Sequence, residues 1–223
     1  MKDTVLSLSR GEQSKISYVL IVIVLLNVTY PFSELGTAAA LIHVLLYLGL
    51  LGSGIYLVSS HRLLLASSII LTVVICITGV TTIVTDFGAP LWVQLLWGSS
   101  LIIYQGLIIA ILVSFIIESQ SVTAEVLYAS VAIYFMLALT FAIVYSGIEI
   151  TTPGSFISSS GAEMTWQRLT YFSLVTITTL GYGDIVPVAP AAQSLSAMEA
   201  SIGTLYIAIL IGRFVSLFQQ GEQ

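Results

Sequence analysis

The chain has 223 residues, of which 57% are hydrophobic and only 8% charged, with a mean hydropathy of +1.06 and a formal net charge of −5. A soluble domain carries about 25% charged residues on its surface, so this composition excludes a water-soluble enzyme. The negative net charge also argues against a nucleic-acid partner, and the sequence therefore predicts an integral membrane protein.

Six apolar runs are long enough to cross a membrane. A transmembrane helix needs about 20 predominantly apolar residues, and turn residues or charges separate the runs that meet this requirement: roughly 16–33, 37–58, 63–85, 91–117, 123–147 and 192–217. A further apolar stretch at 164–179 is too short to span. We therefore expect an all-α membrane protein with six transmembrane helices.

The basic residues predict how these spans are oriented. Cytoplasmic loops carry an excess of Lys and Arg, and five of the six basic residues fall on one side when the spans are counted in order: Lys2, Arg10, Lys15, Arg62 and Arg213. We expect a multi-pass protein of the cell membrane with both termini in the cytoplasm, and an Arg213 side chain that reaches the lipid headgroups. Alternatively, the first span and the following Thr37–Ala40 resemble a secretory signal peptide with its cleavage site.

Isolated polar residues give little sign of catalysis or metal binding. Cys76 is the only cysteine, and His43 and His61 stand apart from other ligand types. We expect no cofactor, no metal centre and no enzymatic activity, because no nucleophile–base pair is visible. His43 lies inside the second span, where it is either a functional ionisable group or a neutral side chain hydrogen-bonded to a neighbouring helix.

The segment between the fifth and sixth spans, 148–191, has the pattern of a helix that enters the membrane and stops. Ser160 and Glu163 fit a capping box, which predicts a helix starting near Ala162 and ending near Thr178, and the glycines at 181 and 183 follow at once. Non-helical backbone at membrane depth is tolerated only inside protein or along a water-filled cavity. This pattern therefore predicts a re-entrant pore helix and a pore-lining segment.

The string Thr176-Ile-Thr-Thr-Leu-Gly-Tyr-Gly-Asp184 resembles the potassium-channel signature. In that family, four such loops supply rings of carbonyls that replace the hydration shell of the ion. The resemblance implies that K⁺ binds at the carbonyls of Thr179, Leu180, Gly181 and Tyr182 and at the Thr179 hydroxyl, with Gly183 completing the filter. Leu180 departs from the usual Val or Ile.

The resemblance also assigns roles to residues around the filter. It implies that Tyr171 and Asp184 support the filter through a hydrogen bond, and that Gly203 is a gating hinge. Alternatively, Tyr171 only anchors its helix at the membrane interface. Close helix packing would require a small residue at Gly203 equally well. Glu199 either faces the pore cavity, where it would concentrate cations, or packs behind the filter against a polar group of the pore helix.

The number of signatures predicts the assembly. One copy occurs in the chain, whereas a carbonyl ring needs four loops, so we expect a homotetramer surrounded by membrane lipids, with K⁺ as its permeant ion. The predicted domains are a cytoplasmic N-terminus at 1–15, a four-helix unit at 16–117, a pore domain at 118–217 and a short cytoplasmic tail at 218–223. Because only the ten residues Phe214–Gln223 follow Arg213, we expect no gating by a cytoplasmic regulatory domain within this chain, although a truncated sequence would look the same.

These observations lead to one functional hypothesis and several alternatives. The hypothesis is a potassium-selective channel through which K⁺ passes passively. A weakly selective cation channel would result if Leu180 loosened the filter. A membrane transporter or a membrane-embedded enzyme would need buried carboxylates, histidines or a catalytic constellation that the first five spans scarcely offer. A non-conducting subunit of other channels is also compatible with the sequence.

The fourth span generates a prediction about voltage. Voltage sensors carry Arg or Lys at every third position of this helix, but 91–117 contains no charged residue. Since moving one charge through 100 mV is worth about 2.3 kcal/mol, little electrical work is available to open the pore. We expect open probability to change little during voltage steps on reconstituted protein in symmetric K⁺, and steep opening with voltage would contradict this.

Overall fold

The computed structural model describes residues 15–59, 62–85 and 88–221. We number its elements in chain order: α1 Ile16–Thr29, which continues as a 3₁₀ helix over Tyr30–Leu35, α2 Thr37–Leu57, α3 Arg62–Val84, α4 Leu91–Glu118, α5 Ala124–Thr151, β1 Phe156–Ser158, α6 Trp166–Ile177, β2 Ile185–Pro187 and α7 Pro190–Gly221. Lys2, Arg10, His61 and the end of the predicted tail at 222–223 lie outside the described residues, and the predictions about them stay predictions.

Six helices of the described chain are long and apolar enough to cross a membrane: Ile16–Leu35, Ala38–Leu57, Arg62–Thr82, Leu91–Glu118, Ala124–Thr151 and Pro190–Leu217. Their bounds agree with the six apolar runs to within a few residues. The prediction of an all-α membrane protein with six transmembrane helices is therefore confirmed. A short two-stranded sheet is the one addition to it among the described elements.

The described chain divides into two compact units, and several helices contribute to both. The first unit draws on 15–73, 103–136 and 212–221, and the second on 74–102 and 137–211. The predicted boundary at 117–118 divides the four-helix unit from the pore domain along the sequence. The two compact units combine distant segments of the chain and do not test this boundary, which stays a prediction.

In the first unit, side chains of Lys15 and Tyr104 bind helix α2. The Lys15 amine donates to the Tyr56 carbonyl at 2.9 Å and to the Ser59 hydroxyl at 2.7 Å, where its positive charge suits the C-terminal end of α2. The Tyr104 hydroxyl donates to the Leu51 carbonyl at 2.5 Å. A side chain at Gly54 would collide with the Tyr104 ring, so this phenol fits only against a glycine.

The structure corrects the expectation that the Arg213 side chain reaches lipid headgroups. The Arg213 guanidinium donates to the carbonyls of Ile117 at 2.8 Å and Ser119 at 2.7 Å. It therefore binds carbonyls at the C-terminal end of α4, which lack helical partners and carry partial negative charge, instead of extending to lipid headgroups.

His43 is buried with its Nδ1 atom 3.4 Å from the Thr29 hydroxyl. This contact favours the interpretation of His43 as a neutral side chain hydrogen-bonded to a neighbouring helix.

The second unit contains a two-stranded antiparallel sheet that the sequence did not predict. Strands β1 and β2 pair antiparallel with Phe156 opposite Pro187 and Ser158 opposite Ile185. The pairing continues for one bond, since the Ser159 amide donates to the Asp184 carbonyl at 2.8 Å. The residues that follow the predicted filter are thus tied to the residues that precede α6.

The start of α6 also corrects the sequence prediction. The helix begins at Trp166, and its N-cap is Thr165, whose hydroxyl accepts from the Arg168 amide at 3.4 Å. The predicted cap Ser160 instead lies in the turn after β1, 2.9 Å from the Ser158 hydroxyl. Gly161 follows with φ +68°, a left-handed conformation that a right-handed helix does not contain. The predicted end near Thr178 is confirmed, because Thr178 is the C-cap.

An aromatic core holds α6 in place. Tyr145 of α5, Phe156 of β1 and Phe172 of α6 lie with ring centroids 5.3 Å apart in each pair, in edge-to-face geometry. Aromatic pairs of this kind contribute about 0.5–1.5 kcal/mol beyond their burial. Further buried members of the same cluster come from α6, β2 and α7: Leu169, Ile185 and Ala192.

Glu149 near the end of α5 generates a prediction about the turn between α5 and β1. Its carboxylate accepts from the Gly154 amide at 2.7 Å and the Phe156 amide at 3.1 Å. We expect Glu149→Ala to lower the free energy of unfolding by about 1–3 kcal/mol, because two backbone donors lose a partner. Glu149→Gln, which keeps one acceptor oxygen, should lose less.

The measurement is the free energy of unfolding in mixed micelles by detergent titration. Glu163→Ala is the matched control, since Glu163 is exposed in the loop before α6. Equal stability of the Glu149→Ala and Glu163→Ala proteins would show that this carboxylate does not hold the turn.

Candidate functional site

The signature segment, Thr178–Asp184, leaves the end of α6 in an unusual backbone conformation. Thr179, Gly181 and Gly183 have φ values of +57°, +57° and +75°. Glycine adopts this left-handed region readily, but for threonine it costs roughly 1–3 kcal/mol. In an ordinary strand successive carbonyls point to opposite sides, and a left-handed residue at every second position allows them to turn to the same side. Glycine at 181 and 183 is compatible with positive φ, whereas the residue type at Thr179 gives no sign of it.

Three backbone amides of this segment donate hydrogen bonds to carbonyls in the last turn of α6. Thr179 donates to the Thr176 carbonyl at 2.9 Å, and both Leu180 and Gly181 donate to the Val175 carbonyl, at 3.0 and 3.4 Å. The carbonyls of 179–182 accept no hydrogen bond from any part of the chain that the structure describes. The amides of the segment therefore bond to α6, while its four consecutive carbonyls, at 179–182, have no partner among the described residues.

The electrostatics of the segment favour a cation. The C-terminal end of a helix carries about half a negative charge from its aligned peptide dipoles, and the signature segment begins at the C-cap of α6. Because carbonyl oxygens are also the ligands that K⁺ channels use, both features favour binding of a hard monovalent cation along 179–182.

Of the two predicted support residues, Asp184 ends the segment and Tyr171 lies on α6. The Asp184 carboxylate accepts from the Ile185 amide at 3.1 Å, and its own carbonyl accepts from Ser159. Tyr171 packs against the aromatic core of the second unit. A hydrogen bond between Tyr171 and Asp184 stays a prediction.

Glu199 is fully buried and bonded to two other helices. Its Oε2 atom accepts from the Tyr145 hydroxyl of α5 at 2.6 Å, and its Oε1 atom lies 2.5 Å from the Ser173 hydroxyl of α6. Of the two interpretations, this geometry matches packing behind the signature segment and not exposure to a cavity. The sequence analysis expected a polar partner on the pore helix without identifying Ser173, and it missed Tyr145, although a buried carboxyl group implies that partners exist.

Gly203 lies against the last turn of α6. A Cβ atom at this position would overlap the carbonyl oxygen of Ile177 and approach the Cγ1 atom of the same residue to 2.8 Å. The approach of α7 to α6 therefore requires glycine here, as the packing interpretation proposes. Hinge bending at Gly203 stays a prediction.

Two apolar surfaces of the second unit have no partner within the described chain. Leu180 is 55% exposed and Tyr182 is 66% exposed in the signature segment. Helix α7 is also largely uncovered, and its exposed apolar side chains include Met198, Leu205, Ile207 and Ile209. The exposed part of α7 is thus apolar, although the helix packs against α6 at Gly203.

Comparison with known proteins identifies the family. The sequence model of a family described as "Ion channel" matches residues 101–220, from within α4 to the end of α7. This is more than half of the chain. The chain belongs to this ion-channel family. The match includes α6, the whole signature segment and the two strands that flank them.

Similar proteins are potassium channels by name. The chain is 37% identical to Two pore potassium channel c of Oryza sativa subsp. japonica over 83 residues, 35% of this chain and 18% of that protein. It is 30% identical to a Voltage-gated potassium channel of Aeropyrum pernix over 100 residues, 45% of this chain and 28% of that protein. A third relative is Potassium voltage-gated channel protein shk-1 of Caenorhabditis elegans, 34% identical over 88 residues, 38% of this chain and 15% of that protein.

These matches confirm the resemblance to potassium channels and the expectation that the protein is a channel and not an enzyme. The chain covers less than a third of the length of each of these relatives. No solved structure matches the chain significantly.

The contact between Gly203 and Ile177 generates a prediction. We expect Gly203→Ala to destabilise the protein by about 1–3 kcal/mol, because its methyl group forces α7 away from a backbone carbonyl. Gly212→Ala on the same helix is the matched control: a Cβ there meets nothing within 4 Å, and alanine favours helix. Detergent titration of both variants measures the difference. Equal stabilities, with altered opening only in Gly203→Ala, would favour the hinge interpretation instead.

Proposed function

We propose that four copies of this chain form a potassium-selective channel, in which K⁺ binds without its hydration shell along the carbonyls of 179–182. The observation that carries the proposal is the row of carbonyls without a protein partner at the C-terminal end of α6. The names of the similar proteins support the choice of K⁺ as the ion.

The tetramer follows from the number of signatures and from the exposed surfaces. One copy supplies one quarter of a carbonyl ring, and closed symmetric assembly is the usual route to such rings. The exposed Leu180 and Tyr182 side chains and the uncovered face of α7 are surfaces that neighbouring copies would cover. Lipid would cover the outer faces of the remaining spans.

Conduction in this assembly is passive electrodiffusion. K⁺ exchanges water for the carbonyls of Thr179, Leu180, Gly181 and Tyr182 and for the Thr179 hydroxyl, and each ion is displaced by the next. Asp184 and Tyr171 hold the outer end of the segment, which Gly183 completes. The gate lies on the inner helix α7, with Gly203 as its candidate hinge.

Voltage gates this channel weakly or not at all. Two of the similar proteins are voltage-gated by name, but α4 of this chain carries no charge before Glu118. The polar contacts of the first unit, such as Tyr104 with Leu51, serve packing in this account. We place the channel in the cell membrane with both termini in the cytoplasm, on the asymmetry of the basic residues.

Leu180 gives the second candidate function, a weakly selective cation channel. Its side chain branches at Cγ and is 55% exposed within the single chain, so a neighbouring subunit must accommodate it behind the filter. If that packing widens the carbonyl ring, Na⁺ with some of its water would pass.

The ion selectivity of the purified protein tests these two candidates. With K⁺ on one side of a planar bilayer and Na⁺ on the other, we expect a reversal potential near the equilibrium potential of K⁺. Leu180→Val should leave this potential unchanged. A reversal potential near zero with robust current would contradict K⁺ selectivity, and recovery of selectivity in Leu180→Val would assign the loss to Leu180.

A further inference from the structure

Three short oxygen–oxygen contacts connect α5, α6 and α7 behind the signature segment. The Tyr145 hydroxyl lies 2.6 Å from Glu199 Oε2, the Ser173 hydroxyl lies 2.5 Å from Glu199 Oε1, and the same Ser173 hydroxyl lies 2.6 Å from the Ala138 carbonyl. Glu199 and Ser173 have no exposed surface. Water therefore has no access from which to complete these contacts.

The protons available to these contacts can be counted. Each hydrogen bond needs one proton, so three contacts need three. Tyr145 and Ser173 each bring one hydroxyl proton, and the Ala138 carbonyl brings none. The Ser173 proton is required between Ser173 and Ala138, since a carbonyl oxygen can only accept. The proton between Ser173 and Glu199 must then come from Glu199.

We infer that Glu199 is a neutral carboxylic acid in the folded channel and acts as a positioning residue for α6. Its Oε1–H group donates to Ser173, Ser173 donates to Ala138, and Tyr145 donates to Oε2. This assignment places a proton in every contact. An ionised Glu199 would leave one contact of 2.5 or 2.6 Å between two oxygens with no proton between them.

The surroundings of Glu199 provide no compensation for a negative charge. Facing it are the hydroxyls of Tyr145 from α5 and Ser173 from α6. The only basic side chain in the second unit is Arg168, and among the described residues no ion pair joins it to Glu199. An unpaired carboxylate is strongly unfavourable in a buried site of low dielectric, whereas a neutral acid with all its hydrogen bonds does not carry this cost.

The neutral form has a consequence for conduction, which rests on the proposed function. Ser173 is one helical turn before Ile177, the last residue of α6, so Glu199 holds this helix close to where the signature segment begins. In a tetramer, four ionised copies would add four negative charges behind the filter. Four neutral copies hold α6 by hydrogen bonds and leave the attraction of K⁺ to the carbonyls and the helix dipole.

The variant Glu199→Gln distinguishes the two protonation states. Glutamine has an N–H donor for Ser173 and a carbonyl acceptor for Tyr145, so it reproduces the neutral acid but not the carboxylate. We expect Glu199→Gln to keep the stability of the protein and the K⁺ concentration that half-saturates its current. Ser173→Ala and Glu199→Leu should both lower stability, because each leaves buried polar groups without partners.

Infrared spectroscopy at neutral pH reads the proton directly. In wild-type protein we expect a C=O stretching band of a protonated carboxyl group, which is lost in Glu199→Gln, kept in the exposed control Glu163→Gln and shifted to higher frequency in Ser173→Ala. Absence of the band from folded wild-type protein would overturn the inference, as would a Glu199→Gln channel whose half-saturating K⁺ concentration rises.

This measurement is independent of conduction. A folded protein that shows the band but passes no current would count against the proposed function and leave the protonation state of Glu199 established. A K⁺-selective channel without the band would overturn the inference alone.

Discussion

The structure depends on one constraint: backbone that leaves a helix at membrane depth cannot leave its polar groups to lipid. The signature segment meets half of this constraint internally, because the amides of Thr179, Leu180 and Gly181 bond to the last turn of α6. The carbonyls of the same segment are left to a partner outside the chain. Water, an ion or a neighbouring copy must satisfy them, and the pore that we propose would supply all three.

The elements around the segment hold it at both ends. At its start, α6 is fixed by the aromatic core, by the close approach at Gly203 and by the contacts of Glu199. At its end, the bond between Ser159 and Asp184 and the β1–β2 pairing attach it to the loop before α6. A backbone with a left-handed threonine costs free energy, and it persists only because its neighbours determine its position from both sides.

Sequence alone was sufficient for features that depend on composition or on a contiguous motif. The six spans follow from apolar length, and the end of α6 follows from the glycines that terminate it. The family resemblance rests on nine consecutive residues. The local capping rule failed at Ser160, because β-pairing of Phe156–Ser158 with Ile185–Pro187 placed that serine in a turn. Pairing between strands so far apart in sequence leaves no local pattern.

The partners of buried polar side chains were likewise out of reach of the sequence. Glu199 was singled out as an acidic residue in a span, but Tyr145 and Ser173 are separated from it by 54 and 26 residues. Arg213 follows an apolar span, as residues that contact lipid headgroups do, and only the fold brings its side chain to the end of α4. Such contacts depend on which helices are neighbours, and apolar runs in a membrane do not encode this.

The central claim, that four copies of the signature segment bind K⁺ selectively, is tested most directly by the thermal stability of the purified oligomer. A ligand that binds only the folded assembly raises its melting temperature. We predict a tetramer by mass measurement in detergent, with a higher melting temperature in KCl than in an equal concentration of NaCl. Identical melting temperatures in the two salts, or a monomer throughout, would contradict the account.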